Sequence, residues 1–363
     1  KRHSLFRPSI PTQPAPPVVV GGSVVDIVVT CTEDRVQLNG STHVGRIRTT
    51  WGGVGRNVAD CLARLLADRV RFVSAVGAHD RHGEALLQHN PLLDFDGVLR
   101  VEGARTASYC TLLDSRGDCL FGVGDMDAHQ YISPQLIREN EEHIARAPIV
   151  VFDGNLPDAT IACILQICGQ RQVPAFFEPT DVRKAVKPFF SDAWRHLSAV
   201  SPNIAELRAM HAALQRALGA SEPTDTPAEV VADPVWEGAW LGSRLAQHIP
   251  LVLVTLGAQG ALLIERRHQE ATQEGQRSIN VLHYPATKVE EVQSVSGAGD
   301  CLAGGFLCGL LLRLPWDRCM GVGMTAARRS LMSSDTVPDT VGPDCLNAIS
   351  TARPVTPKCP ERV

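Results

Sequence analysis

One glycine-rich turn carries the residues best suited to chemistry in this chain. Gly297, Ala298 and Gly299 are followed at once by Asp300 and then by an apolar stretch with helical spacing, which ends before Pro315. Amide N–H groups at the start of a helix point at one place, with the positive end of the helix dipole behind them, and so attract an anion. Asp300 adds a carboxylate that could take a proton from an attacking hydroxyl.

Three interpretations of this turn compete. Small residues followed by Asp commonly cap a helix. The pair Gly297 and Gly299 also matches the first two glycines of a dinucleotide fingerprint, but Leu302 stands where the third should be, and Asp300 would repel a pyrophosphate. The third interpretation is a phosphoryl-transfer site, with Asp300 as the base and the turn as the anion hole. The turn alone leaves all three open.

Polar residues follow several of the apolar runs that we interpret as buried strands. In open parallel sheets, ligands bind outside the carboxyl ends of the strands, so these residues are expected at one cleft. They are Asp153 and Asn155, Glu178, Asn203 and Glu206, and Thr255 and Gly257. Asn203 and Glu206 carry the oxygen ligands that Mg²⁺ prefers. The same spacing fits a capping box at the start of a helix, and spacing does not separate the two roles.

A second glycine cluster, Gly-Gly-Val-Gly-Arg-Asn at residues 52–57, precedes another helical stripe. Gly53 would let a ligand approach the backbone closely. Asn57 can donate and accept hydrogen bonds, as a sugar diol requires, or it can cap the helix. Asp26 follows the first strand and either accepts hydrogen bonds from sugar hydroxyls or merely ends that strand.

These residues need a scaffold of alternating strands and helices. Short apolar runs at residues 18–20, 70–76, 149–152, 175–177, 197–200 and 251–254 indicate buried strands, with helical stripes between many of them. The pattern predicts an α/β fold with a mostly parallel sheet covered on both faces. Residues 104–124 instead hold two extended runs around a turn at residues 114–118, and residues 34–50 could add further extended segments. We expect these two segments to form a small β lid.

Both ends of the chain differ in composition from the rest. Residues 1–17 are rich in proline without apolar periodicity and are interpreted as a linker, which suggests either another domain upstream or an incomplete gene model. Residues 18–350 form the folded unit, with an acidic surface loop at residues 221–233. Residues 351–363 are expected to be a disordered tail.

Composition excludes several classes of function. The 363 residues carry a formal net charge of −4 without a basic patch, so we expect neither a nucleic-acid nor a membrane partner. Eleven cysteines occur without Cys-x-x-Cys spacing, which indicates a reducing, cytoplasmic compartment rather than a disulfide framework or a zinc site. The chain lacks a Walker motif, the protein-kinase signatures and a hydrolase elbow.

With these residues assembled, the chain resembles the PfkB (ribokinase-like) carbohydrate kinases over residues 18 to about 348. Two signatures, at residues 52–59 and 296–300, carry the resemblance. Ser-Pro-Asn-x-x-Glu at residues 201–206 and Thr-Leu-Gly-x-x-Gly at residues 255–260 support it. The resemblance implies a three-layer α/β/α sandwich with a mostly parallel sheet and a small β lid, and a kinase domain at residues 18–350.

The resemblance also assigns roles and cofactors. It implies a kinase that uses ATP and Mg²⁺ and phosphorylates a sugar or nucleoside under a lid that excludes water. The implied catalytic group is the base Asp300 with an anion hole of Gly297, Ala298 and Gly299. Mg²⁺ and phosphate would be organised by Asn203 and Glu206, and ATP would lie along Asn203, Thr255 and Gly257. The sugar would be held by Asp26, Gly53, Asn57 and Asn155.

One departure from the family bears on a further cofactor, K⁺. Many relatives have Asp-Thr-Thr before Gly-Ala-Gly-Asp, in a region that in some of them contributes to a monovalent-cation site. This chain has Ser294, Val295 and Ser296 there. A K⁺ requirement is therefore not carried over to this chain.

Within the family, the likeness is greatest to pseudouridine kinases. It rests on residues 52–57, 125–127, 153–157 and 177–181. The expected reaction is ATP-dependent phosphorylation of the 5′-hydroxyl of pseudouridine. The alternatives are a kinase for ribose or another ribonucleoside or furanose, and a catalytically silent binding module. Some eukaryotic relatives fuse a pseudouridine-5′-phosphate glycosidase upstream, and an exposed lid strand could pair two copies into a homodimer.

Overall fold

The secondary structure is that of a two-sheet α/β protein, described by a computed structural model for residues 15–33, 36, 39–116, 118–220, 233–267 and 278–355. Within these residues the strands are β1 (Val18–Val20), β2 (Val24–Cys31), β3 (Gly45–Gly52), β4 (Val70–Gly77), β5 (Leu93–Val101), β6 (Ser108–Leu113), β7 (Cys119–Asp125), β8 (Val150–Asp153), β9 (Ala175–Glu178), β10 (Ala199–Val200), β11 (Leu251–Thr255), β12 (Ala261–Arg267), β13 (Ser278–Tyr284) and β14 (Arg353–Pro354). The α-helices are α1 (Val54–Leu66), α2 (Arg81–Gln88), α3 (Pro134–Glu139), α4 (Glu141–Arg146), α5 (Asp158–Arg171), α6 (Ile204–Ala217), α7 (Pro234–Ala246), α8 (Ala298–Leu311) and α9 (Trp316–Leu331).

The larger sheet has ten strands in the order β14-β13-β12-β11-β10-β9-β8-β1-β4-β5. Neighbours from β11 to β5 in this order run parallel, and those from β11 to β14 run antiparallel. The six predicted buried strands all belong to this sheet, which confirms the mostly parallel architecture. Their nearly continuous apolar sequences suit strands that are covered on both faces.

Side chains of successive strand residues enter two separate cores, one on each face of the sheet. Val18 and Val20 belong to one core, together with residues of α5, α6 and α7. Val19 belongs to the other core, together with residues of α1, α8 and α9. Because strand side chains alternate between faces, a short Val-Val-Val strand serves both cores at once. The predicted three-layer α/β/α sandwich is confirmed.

The lid is a four-stranded sheet in the order β3-β2-β6-β7. The predicted hairpin is confirmed, since Asp114 Oδ1 accepts from the amides of Arg116 and Asp118 at 2.9 Å each and closes the turn. The expected first segment, residues 34–50, is only partly right, because β2 lies before it and β3 begins at Gly45. The apolar sequence of β2 resembles a core strand, and its pairing partners are distant in sequence. Ile47 and Val123 are 75% and 63% exposed, but a lid-mediated dimer stays a prediction.

The boundary expected for the C-terminal tail is wrong by a few residues. Arg353 and Pro354 form β14, which pairs with His283 and Leu282 at the edge of the larger sheet. An edge position tolerates a proline, which lacks an N–H to donate inward. Residues 1–14, 221–232 and 356–363, which contain most of the predicted linker, loop and tail, lie outside the described residues. Among the described helices, none has the length and apolar character needed to cross a bilayer.

Candidate active site

The cleft lies at the carboxyl ends of the parallel strands. Strands β1 and β8 are parallel neighbours, and the chain continues from β1 to β4 on one side and from β8 to β9 on the other. Connections that diverge from adjacent carboxyl ends in this way are the arrangement at which such sheets bind ligands. Asp153, Glu178 and Thr255 end β8, β9 and β11, and the N-termini of α1 and α8 meet at the same edge. The two signature segments come together here through Asn57 and Asp300, which are 243 positions apart and hydrogen-bonded.

Asp300 is a buried carboxylate with a single side-chain donor on it among the described residues. The Asn57 Nδ2 group donates to Asp300 Oδ2 at 2.6 Å. Burial raises the pKa of Asp300 to about 6, although the Asn57 hydrogen bond and the positive charge of Arg56 act in the opposite direction. A carboxylate with this pKa is largely ionised at neutral pH and is a stronger base than an exposed aspartate, as general-base catalysis requires.

The glycine turn before Asp300 is open where a ligand would approach. Gly297 has a φ of 83°, a left-handed conformation that disfavours a side chain, and a Cβ there would lie 2.5 Å from the Thr336 carbonyl oxygen. A Cβ placed on Gly299 would instead meet no heavy atom within 4 Å. The helical bond from the Cys301 amide to the Gly297 carbonyl spans 2.8 Å, so the amides of residues 298–300 precede the first such bond and remain for a ligand.

The predicted sugar residues Asp26, Gly53 and Asn57 lie close together beside the start of α1. A Cβ on Gly52 would overlap the Asp26 carboxylate, and a Cβ on Gly53, where φ is 92°, would overlap the Gly22 carbonyl. Burial raises the pKa of Asp26 to about 6, against the lowering effect of the Arg56 charge. The glycines thus allow an acidic side chain and two backbone segments to pack within one small space, as a polar ligand site needs.

Asp153 connects three backbone segments at the base of this site through hydrogen bonds. Its Oδ2 atom accepts from the amides of Gly22 and Gly55 at 2.9 and 2.8 Å, and its Oδ1 atom accepts from the Asn155 amide at 2.9 Å. Asn155, predicted to bind sugar, donates from Nδ2 to Asp153 and accepts from Lys184 Nζ at 2.9 Å. Asp153 therefore has a structural role, and the Asn155 side chain is held in place by protein partners.

On the nucleotide side of the predicted site, Asn203 and Glu206 form a capping box at the start of α6. Asn203 Oδ1 accepts from the Glu206 amide at 3.0 Å, and Glu206 Oε2 accepts from the Asn203 amide at 2.8 Å. Asn203 also bridges to Thr255, so β11 and the start of α6 lie side by side. Gly257, after β11, is exposed, and a Cβ on it would meet no heavy atom within 4 Å. The capping interpretation is confirmed, and the roles toward Mg²⁺ and ATP stay predictions.

Several carboxylates face one another across the cleft. Burial raises the pKa of Glu178 well above its ordinary value, and the charges of Glu206, Asp300 and Asp153 add to the effect. Burial also raises the pKa of Glu206. In the part of the chain that the structure describes, Glu178 Oε2 is buried without a hydrogen-bond partner. These oxygens fit a bound Mg²⁺, whose charge would offset their repulsion.

A dedicated metal cage is not what these residues form. No group of three or more His, Cys, Asp or Glu side chains with metal-binding geometry occurs among the described residues. Mg²⁺ usually keeps several waters and is held by one or two carboxylates together with phosphate oxygens, so a cage is not required. Glu206 and Glu178 are the carboxylates available for that role.

Replacing Glu206 by glutamine separates its capping role from its predicted metal role. The amide oxygen can still accept from the Asn203 amide, so we expect the melting temperature to change little. Loss of the charge should raise the Mg²⁺ concentration for half-maximal activity by about tenfold or more, as expected for a removed ligand or its hydrogen-bonded support. The measurement is a Mg²⁺ titration of initial rates.

Asp233→Asn is the matched control, because Asp233 caps α7 by accepting from the Val235 amide at 2.8 Å. It removes one charge from a helix cap without touching the capping box of α6. An unchanged Mg²⁺ dependence in Glu206→Gln would leave Glu206 with a capping role only.

Four residues of the site received no role from the sequence. The sequence marks Glu178 only by its position after a strand, and Arg56 only as part of a signature. Thr336 and His129 lie in segments without a motif, and the buried His129 Nε2 atom has no hydrogen-bond partner among the described residues. A polar residue directly after a strand is the signal that pointed to Glu178, whereas Thr336 had no comparable local signal.

Comparison with known proteins agrees with this geometry. Residues 16–340 match the family described as pfkB family carbohydrate kinase. The chain is 28% identical to a pseudouridine kinase of Arabidopsis thaliana over 356 residues, covering 89% of this chain and 92% of that protein. It is 34% identical to a pseudouridine kinase of Escherichia coli over 189 residues, covering 51% of this chain and 58% of that protein.

Solved structures show the fold. The ribokinase of Arabidopsis thaliana complexed with ribose and ATP matches with a TM-score of 0.70 and 21% identity, over 92% of this chain and 99% of that one. The ribokinase of Thermotoga maritima matches with a TM-score of 0.67 and 20% identity, over 92% and 98%. The fold is ribokinase-like, and a further structure of this fold, the ribokinase of Cryptococcus neoformans, was solved in complex with ADP. With the family match over most of its length, this chain belongs to the pfkB family of carbohydrate kinases, phosphotransferases that act on hydroxyl groups.

Proposed function

We propose that this chain transfers the γ-phosphoryl group of ATP to the 5′-hydroxyl of pseudouridine, with Mg²⁺ as the metal ion. The observation that carries the proposal is a buried carboxylate, Asp300, directly beside an open helix start at residues 297–299. A base next to an anion hole suits phosphoryl transfer to a hydroxyl. The names of the two similar pseudouridine kinases support the choice of substrate.

Asp300 acts as the general base in this proposal. Its pKa of about 6 leaves the carboxylate mainly ionised near neutral pH. Asn57 occupies Oδ2, so Oδ1 accepts the proton of the substrate hydroxyl as its oxygen attacks the γ-phosphorus. The bond between the γ-phosphorus and the oxygen of ADP breaks, and Asp300 gives its proton to solvent after the products leave.

The helix start at residues 298–300 stabilises the charge on the transferred group. Its amides and the positive end of the α8 dipole face the place where the phosphoryl oxygens pass. When bound, Mg²⁺ neutralises part of the phosphate charge, and Glu206 and Glu178 would hold it, directly or through its waters. Thr255 and Gly257 would lie along ATP at the exposed end of β11.

The sugar is held by groups that can form hydrogen bonds to neighbouring hydroxyls. Asp26 accepts, Asn57 can donate and accept, and the Gly53 backbone permits close approach. Asn155 would contact the ligand through the hydrogen-bonding positions of its side chain that Asp153 and Lys184 do not occupy. The lid formed by β2, β3, β6 and β7 covers this side and would exclude water, which limits hydrolysis of ATP.

A substrate panel tests the proposal. Pseudouridine, uridine, guanosine and ribose are each supplied with ATP and Mg²⁺, with and without K⁺, and ADP release is measured. We expect kcat/KM for pseudouridine to exceed that for each of the others by roughly tenfold or more, the range that pocket contacts usually provide.

Two results of the panel would contradict parts of the proposal. If pseudouridine ranked among the poorest substrates while ribose or another nucleoside was phosphorylated, the substrate would be wrong but the kinase activity correct. Binding without any ADP release would instead favour a silent binding module. Asp300→Asn serves as the blank for contaminating kinases.

The expected cellular compartment and the expected upstream domain stay predictions. The ten cysteines that the structure describes are all unpaired thiols, which supports the predicted reducing, cytoplasmic compartment. An upstream glycosidase domain stays a prediction from the family likeness alone.

A further inference from the structure

The direction of the Asn57 amide matters to the proposed base. An amide has a donor end and an acceptor end of nearly the same size, and only the donor end is compatible with an ionised Asp300. Asn57 Nδ2 lies 2.6 Å from Asp300 Oδ2. A reversed amide would set two oxygens against each other, and it would raise the pKa of Asp300 by removing a hydrogen bond to the charged form.

Arg56, supported by the Thr336 hydroxyl, determines the direction of the amide from its far end. Asn57 Oδ1 contacts the Arg56 Nη2 group and lies 3.1 Å from Thr336 Oγ1. Arg56 has donors only, so it can face the oxygen of the amide but not its NH₂ group. Thr336 Oγ1 accepts from Arg56 Nη2 at 2.9 Å, and its single proton is shared between Asn57 Oδ1 at 3.1 Å and the Trp51 carbonyl oxygen at 2.7 Å.

The Arg56 guanidinium is itself immobilised. It is only 2% exposed, and its Nη1 group donates to Asp60 Oδ2 at 2.9 Å. Asp60 is fully buried and also accepts from Arg64 Nε at 2.8 Å and from Asn90 Nδ2 at 2.6 Å. An ion pair held on several sides in this way fixes the position of the donor that Asn57 faces.

Thr336 connects this arrangement to the anion hole. Its carbonyl oxygen accepts from Ser330 Oγ at 2.8 Å and from Cys301 Sγ at 3.3 Å, and a Cβ on Gly297 would lie 2.5 Å from it. Thr336 lies 280 positions from Arg56. Thr336, in the segment that follows α9, therefore contacts the Asn57 amide on the sugar side through its hydroxyl. It contacts the Gly297 turn on the phosphate side through its backbone.

We propose that Thr336 and Arg56 are positioning residues that lock the Asn57 amide with its N–H group toward Asp300 and its oxygen away from it. This inference rests on the proposed phosphoryl transfer, because it matters to function only if Asp300 is the base. The two residues touch Asn57 rather than the reacting atoms. They would keep the base ionised and Oδ1 directed at the substrate.

Thr336→Val and Thr336→Ser form the matched pair for the test. Valine keeps the shape but removes the hydroxyl, whereas serine keeps the hydroxyl. Initial rates are measured with ATP and the best substrate of the panel between pH 5 and pH 9. For Thr336→Val we expect kcat to fall about tenfold and the acid limb of kcat/KM to move up by roughly half to one pH unit, since a hydrogen bond to the charged base is weakened.

The expected controls are an unshifted profile for Thr336→Ser and a KM for ATP that changes less than about twofold in both variants. The other charged groups whose interaction with Asp300 is resolved are Arg56 from α1, Asp26 from β2, Asp153 from β8, Glu178 from β9 and Glu206 from α6, and the pair leaves all of them in place. A shift of the acid limb of kcat/KM along the pH axis therefore reports a change at the Asn57 amide rather than the loss of a charged group near Asp300.

A uniform loss of kcat at every pH, or equal behaviour of the valine and serine variants, would overturn the proposal and leave Thr336 as packing for the Gly297 turn. If valine prevents folding, Thr336→Cys, with its weaker S–H donor, should give an intermediate shift. If no substrate is turned over, infrared titration of the Asp300 carboxyl in the free variants tests the lock independently of the proposed function. An equal titration midpoint in the valine and serine variants would refute it.

Discussion

Asp300→Asn should lower kcat by about 10²–10⁴-fold, the usual contribution of a positioned base, and should at the same time make the protein more stable at neutral pH. The loss of rate follows because an amide cannot accept the hydroxyl proton. The substitution is nearly isosteric, and its carbonyl oxygen can still accept from Asn57 Nδ2. The measurements are kcat with the best substrate and thermal unfolding at two pH values.

The sign of the stability effect follows from the pKa of Asp300. Because the folded-state pKa is raised from 3.8 to about 6, the folded protein holds this proton more tightly than the unfolded chain. That contribution to stability is complete below about pH 4 and is lost as the pH rises through about 6. At pH 8 the buried charge costs roughly 1–3 kcal/mol, which the neutral asparagine avoids.

The stabilisation by Asp300→Asn should therefore be clear at pH 8, about half as large at pH 5, and nearly absent below about pH 4, where the wild-type carboxyl is protonated in the unfolded chain as well as in the folded protein. The acid limb of wild-type kcat/KM should lie near pH 6. Near-normal turnover of a correctly folded Asp300→Asn protein would remove Asp300 as the base. Equal stabilisation at pH 8 and at pH 5 would mean that Asp300 is not held at a raised pKa.

Gly299→Ala is the second substitution with a large expected effect, and it should impair activity without harming the fold. A methyl group at this position meets no heavy atom within 4 Å in the free protein, and alanine favours a helix by about 0.5–1 kcal/mol over glycine. If the open space in front of Gly299 receives the phosphoryl group, the methyl group occupies it. We expect kcat/KM for ATP to fall about 10²–10³-fold, with an unchanged or higher melting temperature.

Two further glycine variants sharpen this result. Gly297→Ala should lower the melting temperature, because its φ of 83° disfavours a side chain and its Cβ would lie 2.5 Å from the Thr336 carbonyl oxygen. Gly342→Ala is the matched control, since a Cβ there has one neighbour within 4 Å, Asp344 Oδ1 at 3.6 Å, and meets none of the site residues within that distance. A fully active Gly299→Ala protein would show that the phosphoryl group passes elsewhere.

Local patterns in the sequence predicted the elements that depend on local physics. The apolar runs predicted the buried strands because a parallel strand covered on both faces must be apolar along its length. Strand β2 precedes the lid segment expected at residues 34–50 and was not predicted as part of the lid, because its apolar sequence does not show that its partners are β3 and β6. Pairing depends on residues far along the chain, so strand order is not readable from such a run.

The sequence by itself determined the family, the glycine turn with Asp300, the cluster ending in Asn57 and the polar residues after the strands, because each is a short segment whose spacing carries its chemistry. Only the tertiary structure decided how these groups meet. It placed Asn57 on Asp300 across 243 positions, brought Thr336 to Arg56 across 280 and buried Glu178 among other carboxylates. Hydrogen-bond direction and pKa depend on neighbours in space and on burial, and neither is a property of the sequence around one residue.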